Sequence, residues 1–268
     1  MEIKEYVATR KEELKKEISS MEKPPRLVII KANDNPASDS YVRGKLKDAA
    51  EIGADAELVE LSPLSTQDDI DKRIEELNRD STVDGFIVQL PLPKQIDEER
   101  VKLLVAPEKD VDGFHPCTSF LPCTPKGIVD YLRATGFSFL GKNAVILGRS
   151  NIVGKPLASI LSSKGYDCNV TLLHSRTSEE DKRFYLAHAD LIVSAVGKIG
   201  VLDESYEYKK DAVIVDVGIN RGEDGKLHGD ALPGLPVAIQ TPVPGGVGLL
   251  TRISLMENLV EAKRRFGK

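Results

Sequence analysis

The sequence predicts an α/β protein built as two domains, and three observations carry that reading. Short apolar runs alternate with amphipathic helical stretches, the pattern of parallel sheets with helices on their faces. The alternation breaks once, at "KDVDGFHPCTSFLPCTP", which is rich in Pro, Thr and Cys and has no period. It then resumes at "KNAVILGRSNIVGKPLASILSSKG" as strand, glycine-bearing loop and helix, the start of a Rossmann-like domain. The expected divisions are a domain over residues 1–121 and a second over 122–245.

The elements follow in order. "MEIKEYVATRKEELKKEI" is charged and helical, with no apolar signal core. "RLVII" behind Pro24-Pro25 reads as a buried strand. "SDSYVRGKLKDAAEIG" reads as a helix with Leu46, Ala49, Ala50 and Ile52 inward and Gly53 at its stop. "AELVEL" alternates as a second strand. "STQDDIDKRIEELNRD" is a helix with Ser65 as its expected cap, Asp68 three residues on, and Ile70, Ile74 and Leu77 at helical spacing. "VDGFIVQLPLP" is a third strand, stopped by Pro91 and Pro93.

In the second half, "TPKGIVDYLRATG" predicts a helix capped by Thr124, with Pro125 in the first turn and Gly136 after the last. "NVTLLH", "ADLIVSAVG" and "DAVIVDVGIN" are strands. "VGLLTRISLMENLVEAKRRF" is an amphipathic helix with Leu249, Leu250, Ile253, Met256, Leu259 and Val260 inward. Lys263, Arg264 and Arg265 suit the negative end of its dipole.

Composition narrows the function classes. A chain of 268 residues, 41% hydrophobic and 29% charged, has length for a packed core. A net charge of -5 argues against nucleic acid as a main partner. No apolar run approaches the roughly 20 residues of a bilayer span, so the expected location is cytoplasmic. Cys117, Cys123 and Cys168 fit a reducing compartment as plain thiols; their spacing suits neither a zinc site nor a disulfide framework, and no metal is expected.

Two groups of residues draw attention. Tyr41 and Lys45, four apart, share one helix face, so a ring and an amine are presented together. In "VILGRSNIVGKP", Gly148 permits a tight turn off a strand and Gly154 a close approach, although the spacing is not G-x-G-x-x-G. The loop reads either as a structural strand-helix turn or as a nucleotide loop whose helix offers free N–H groups to phosphate. After the next strand stands His174-Ser175-Arg176-Thr177, where an acidic residue would suit the unphosphorylated ribose. With Arg149, Arg176 suits a 2′-phosphate instead, which points to NADP.

From residue 33 or so onward the sequence resembles one family. Its segments "SYVRGKLKDAAEIG", "DGFIVQLPLP", "KDVDGFHP", "CTPKGI", "GRSNIVGKP", "HSRT", "ADLIVSAVG", "VIVDVGINR", "GD" (229–230) and "TPVPGGVG" resemble the bifunctional methylenetetrahydrofolate dehydrogenase/methenyltetrahydrofolate cyclohydrolase. Leu249-Leu250 departs from the family's usual Pro-Met. The resemblance implies an enzyme that oxidises 5,10-methylenetetrahydrofolate with NADP and hydrolyses the methenyl product to 10-formyltetrahydrofolate. It implies that Lys45 is the catalytic lysine, that Gln89 hydrogen-bonds it, that Tyr41 stacks on the folate and that Asp112 binds the pterin. Substrate contacts are implied for Tyr41, Val88, Gln89, Leu90, Asp112, Pro242, Gly245 and Gly246. Cofactor contacts are implied for Gly148, Arg149, Ser150, Ile152, Ser175, Arg176 and Ile219. It also implies a cleft between the domains, a final helix (246–268) returning to the first, three-layer domain, and a homodimer. Without the resemblance, Lys45 would pass for a solvated helix lysine, Tyr41 for a packing residue and Gln89 for a strand-end cap. Two other readings are a different two-domain NAD(P) dehydrogenase and a nucleotide-binding module without chemistry.

Overall fold

Two buried apolar runs and one half-exposed alternating run make the first sheet of the computed structural model, which describes residues 1–267. β1 (Arg26–Lys31) pairs in parallel with β2 (Asp55–Glu60) and with β3 (Gly85–Val88), in the order β2-β1-β3. Leu27, Val28, Ile29 and Ile30 are all fully buried, as a central parallel strand covered on both faces requires. The connections are helical. α1 (Ile3–Ser19) precedes β1, α2 (Pro36–Ile52) and α3 (Gln67–Arg79) link the strands, and α4 (Glu98–Leu104) follows β3. Val28, Ile30, Phe86 and Val88 pack with Ile70, Ile74 and Leu77 of α3 and Val101 of α4.

The second sheet is longer. After α5 (Cys123–Ala134) come β4 (Asn143–Leu147), α6 (Gly154–Ser162), β5 (Asn169–Leu173), α7 (Glu179–His188), β6 (Leu191–Ser194) and β7 (Val213–Asp216). A short antiparallel hairpin, β8 (Asn220–Arg221) and β9 (Leu227–His228), leads to β10 (Ile239–Gln240) and α8 (Val247–Phe266). The five strands run parallel in the order β10-β7-β6-β4-β5. Period-two geometry sorts their side chains. Ile146, Val193 and Val215 join Ile128, Leu132, Leu157 and Leu161 in one core, while Val145, Ile192 and Ile214 join Leu186 and Leu202 in another.

The chain groups into two units. The first holds Val7–Cys123 and the chain from Arg252 onward; the second holds Met1–Tyr6 and Thr124–Thr251. These limits differ from 1–121, 122–245 and 246–268 at the N-terminus and within α8, and by two residues at the middle boundary, which falls after Cys123. The first six residues go with the second unit, where Tyr6 packs edge-on against Tyr131 at 5.6 Å and the Tyr131 hydroxyl donates to the Met1 carbonyl. α8 is shared. Thr251 hydrogen-bonds Thr124 in the second unit, whereas Asn258 Nδ2 donates to the carbonyls of Val111 and Leu121 in the first. The return of the last helix to the first domain thus begins at Arg252.

Several local expectations shift. The cap of α3 is Thr66, not Ser65: its hydroxyl accepts from Asp69 N–H and Asp69 bonds back, a capping box one residue later. Thr124 lies inside α5, which starts at Cys123. In α2 Ala50 is exposed and Leu46 only half-buried; Lys45, Asp48 and Gly44 take the buried side with Val42, Ala49 and Ile52. Leu249 is likewise half-buried, the other five inward residues of α8 buried.

Candidate active site

Each end of α2 is fixed by its sequence. The Asn35 side chain accepts from Ala37 N–H at 2.9 Å, Pro36 opens the first turn, and Gly53 closes the helix in the left-handed region at φ 82°. Between those ends Tyr41 and Lys45 stand one turn apart, with the amine 5.8 Å from the ring centroid. Lys45 is 5% exposed, an unusual state for a lysine. Its Nζ donates a hydrogen bond to Gln89 Oε1 at 2.9 Å. Gln89 sits just past the carboxyl end of β3, its N–H donating to the Ile30 carbonyl and its Nε2 to the Leu90 carbonyl at 2.7 Å. The amide therefore has one orientation, oxygen toward the amine.

The electrostatics around this amine conflict. Burial pushes Lys45 below the ordinary lysine value and Arg252 pushes the same way, while Asp112 and Cys123 pull it back up. Burial likewise raises the Asp112 carboxyl, opposed by Lys45 and by a hydrogen bond from the Cys123 thiol. Each group is driven toward neutrality by burial and toward charge by its partner, and burial dominates for both.

Asp110 organises the loop that carries Asp112. Its carboxylate accepts from Gly113 N–H at 3.1 Å and His115 N–H at 2.6 Å. Burial nevertheless pushes its carboxyl up to about 6. With a folded value above the ordinary 3.8, the folded state binds a proton more readily than the unfolded chain. The stability this group contributes is full below about pH 4 and lost as pH rises through about 6. Asp110→Asn is accordingly expected to flatten the dependence of melting temperature on pH across that window. Identical slopes for variant and wild type would refute the expectation.

The second unit carries the other group. Gly148, at φ 110°, leaves β4; a Cβ there would lie 2.3 Å from the Ala195 carbonyl, so no side chain fits. Its N–H donates to the Leu173 carbonyl, which ties the turn to the end of β5. Ser175 and Arg176 follow in a turn closed by Thr177, so Arg149 and Arg176 stand at the carboxyl ends of neighbouring strands. Both arginines are exposed, and neither guanidinium makes an ion pair among the described residues. Ser150 and Ser175 are exposed, Ile152 is half-buried, and Ile219 is 51% exposed beyond β7.

The start of α6 differs from the expectation of free N–H groups. Gly154 N–H donates weakly to Ser150 Oγ at 3.4 Å, Lys155 N–H to the Ser150 carbonyl at 3.1 Å, and Pro156 has none. Ser150 already caps the turn, so anion recognition there falls to side chains, Arg149 first among them. The donor set fits a dinucleotide with an extra phosphate: a glycine cradle beside β6 and two unpaired guanidiniums at adjacent strand ends.

Asp230 orders the loop beside that cradle. Fully buried, it accepts from Ser194 Oγ, from the N–H groups of Val196, Gly197 and Lys198, and from Asn220 Nδ2. Asp216 in turn accepts from the N–H groups of Gly218, Asp230 and Ala231.

Of the expected site residues, Tyr41, Lys45, Gln89 and Asp112 are gathered in the first unit, with Val88 ending β3 and Leu90 beside Gln89. Pro242, Gly245 and Gly246 belong to the second unit, in the turn ahead of α8. Cys123, Arg252, Asp110 and Asp230 were not anticipated. The signal for Asp110 was its place in "KDVDG"; the others become visible only in three dimensions.

The chain belongs to the tetrahydrofolate dehydrogenase/cyclohydrolase family. Models of that family match both parts: the catalytic domain over residues 1–112 and the NAD(P)-binding domain over 122–266. The chain is 41% identical to the bifunctional protein FolD of Oceanobacillus iheyensis, covering 97% of this chain and 95% of that one. It is 44% identical to FolD of Staphylococcus aureus over 90% and 86%. Among solved structures, the FolD dehydrogenase/cyclohydrolase of Campylobacter jejuni superimposes with a TM-score of 0.93 at 38% identity, covering 99% and 98%. The Trypanosoma brucei enzyme, solved with NADP and an inhibitor, gives 0.92 at 30% identity, covering 99% and 97%.

Proposed function

We propose that this enzyme oxidises 5,10-methylenetetrahydrofolate to 5,10-methenyltetrahydrofolate and hydrolyses that product to 10-formyltetrahydrofolate, with Lys45 as the base of the second step. The carrying observation is the buried Lys45 Nζ held 2.9 Å from Gln89 Oε1 beside the Tyr41 ring. NADP, when bound, supplies the hydride acceptor for the first step. That step moves no proton through the protein, and the folate's ring nitrogens supply the electron push. The residues' task there is placement: Tyr41 offers a face to an aromatic ring and Asp112 an acceptor to a pterin N–H.

Hydrolysis moves protons. Water adds to the methenyl carbon, and the neutral amine of Lys45 takes a proton from it. The resulting carbinol breaks its bond to N5, which is protonated as the formyl carbonyl forms on N10; one proton in all is released to solvent. A lysine at its ordinary value of about 10.4 is charged at neutral pH and cannot accept. Burial beside a cationic substrate lowers it, and Gln89 orients the amine without adding the negative charge that would raise it again. A carboxylate in place of Gln89 would defeat the arrangement.

For the cofactor, Arg149 and Arg176 would hold the 2′-phosphate and Gly148, Ser150, Ile152, Ser175 and Ile219 would line the rest. Charge reversal of both arginines is expected to weaken NADP by roughly 100-fold and NAD far less, from the loss of two charge-assisted contacts. Equal losses for the two cofactors would show that neither reads the phosphate. Absorbance assays of methylenetetrahydrofolate with NADP, and of methenyl hydrolysis, test the two activities; absence of either contradicts the proposal. The same reading takes the protein as a cytoplasmic homodimer formed through the second unit. The exposed Phe184 and Tyr185 of α7 favour an apolar contact there, and sedimentation at micromolar concentration tests it.

A further inference from the structure

The residue preceding the catalytic lysine is a glycine with no conformational need to be one: Gly44 lies inside α2, where glycine costs helix stability. Its reason is steric. A Cβ on Gly44 would fall 2.1 Å from Nη1 of Arg252, so the guanidinium of α8 occupies the space a side chain would take. Arg252 is held there by Asp48, with Nε 2.6 Å from one carboxylate oxygen and Nη2 3.2 Å from the other. The Asp48 side chain is 2% exposed and also meets Lys11 Nζ at 2.5 Å. One buried carboxylate thus carries two cations, and the balancing Glu51 on Lys11 stands toward solvent, where its charge is screened. Lys45 itself lies one residue after Gly44 and three before Asp48.

We propose that Arg252, seated on Gly44 and fixed by Asp48, is a positioning residue that keeps Lys45 in its neutral, proton-accepting form for hydrolysis. This rests on Lys45 being the base. The groups that act on Lys45 are Tyr41 on its own helix, Gln89 after β3, Asp112 in the following loop, Cys123 at the start of α5 and Arg252 on α8; Asp48, one helical turn on, is engaged by Lys11 and Arg252. Asp112 and Cys123 favour the charged amine; Gln89 and Tyr41 carry no formal charge. Arg252 is the cation that opposes Asp112, and without it Asp112 acts unopposed, which favours the ammonium form.

The test is the pH profile of methenyl hydrolysis, normalised at each pH to the rate of hydride transfer, for Arg252→Gln and Arg252→Lys. A base must be neutral, so hydrolysis rises with pH through the midpoint of Lys45. Arg252→Gln is expected to move that midpoint up by about one unit, with a roughly tenfold lower normalised rate below it, while Arg252→Lys leaves it near wild type. An unmoved midpoint in Arg252→Gln overturns the proposal, as does an equal fall of both activities at every pH, the mark of a purely structural role. Should Arg252→Gln fail to fold, Asp48→Asn decides: it removes the charge that neutralises Arg252, so the midpoint must fall, and one that stays or rises overturns the proposal. Lys45→Met is run alongside. If it still hydrolyses substrate, the assignment of the base fails and this proposal with it; if it does not, an unmoved midpoint in Arg252→Gln counts against Arg252 alone.

Discussion

Lys45→Met is expected to lose methenyl hydrolysis by about 100- to 10,000-fold, the range for removing a positioned general base, while retaining measurable hydride transfer. The two steps separate because only one needs a proton acceptor. Methionine has a similar length and no charge, so the packing of α2 around Val42, Ala49 and Ile52 is kept. The same substitution is expected to stabilise the fold by about 1 kcal/mol near neutral pH. The sign follows from burial. An amine whose folded value is lowered binds fewer protons folded than unfolded, so it disfavours folding at any pH below its ordinary value. An amine kept for chemistry at the expense of stability is the signature of a functional group. Steady-state rates of each step and a melting curve measure both effects. Survival of both activities at wild-type rates would remove Lys45 from the mechanism.

Asp230→Ala is expected to have the largest effect on the second unit. Five donors converge on this one carboxylate, three of them backbone N–H groups of the loop after β6. Truncation leaves the buried Ser194 hydroxyl without this acceptor and unties the N–H groups of the exposed Val196, Gly197 and Lys198, at a cost of about 3 kcal/mol. The melting temperature should fall by roughly 6–12 °C. The loop also abuts the Gly148 turn, where the Ala195 carbonyl fills the space of a missing Cβ, so its release should weaken NADP as well. Quenching or enhancement of NADPH fluorescence is expected to report about tenfold weaker binding, the value of one or two lost contacts. Unchanged melting and unchanged affinity together would show that the carboxylate is not what holds the loop.

Periodicity made the sheets legible. "RLVII", "VILG" and "VIVDVG" are short, β-branched and doubly buried, and the two faces of β4, β6 and β7 sort into separate cores as alternation demands. α4 was not legible because its seven residues hold one buried side chain, Val101, too few to show a helical period. β8, β9 and β10 are two residues each, below the length at which alternation can register. α7 has a largely charged sequence and buries only Leu186, and it was missed for the same reason.

The site was legible where its residues share one element or adjoin a strand end. Tyr41 and Lys45 are linked by helical spacing, whereas Gln89, at a strand end before Pro91, was marked out only by the family resemblance. Arg252 lies more than two hundred positions from Asp48 in the chain, and nothing local marks it; Gly44, a glycine mid-helix with no turn to make, takes its meaning only from the guanidinium packed on it. The expected inward residues of α2 failed for a related reason. Apolarity pointed to Leu46 and Ala50, whereas the buried face is given over to Lys45 and Asp48, whose burial is sustained by Gln89, Lys11 and Arg252 rather than by hydrophobicity. Polar residues placed inward for chemistry are where pattern reading is expected to go wrong.

The central claim is that the amine of Lys45 is neutral at working pH because its surroundings are dry and partly cationic. The most direct measurement is the titration of its 13Cε resonance in lysine-labelled enzyme, assigned by the signal missing in Lys45→Met. The account predicts a midpoint well below the ordinary lysine value of about 10.4. A Lys45 resonance that titrates with the solvent-exposed lysines would contradict it.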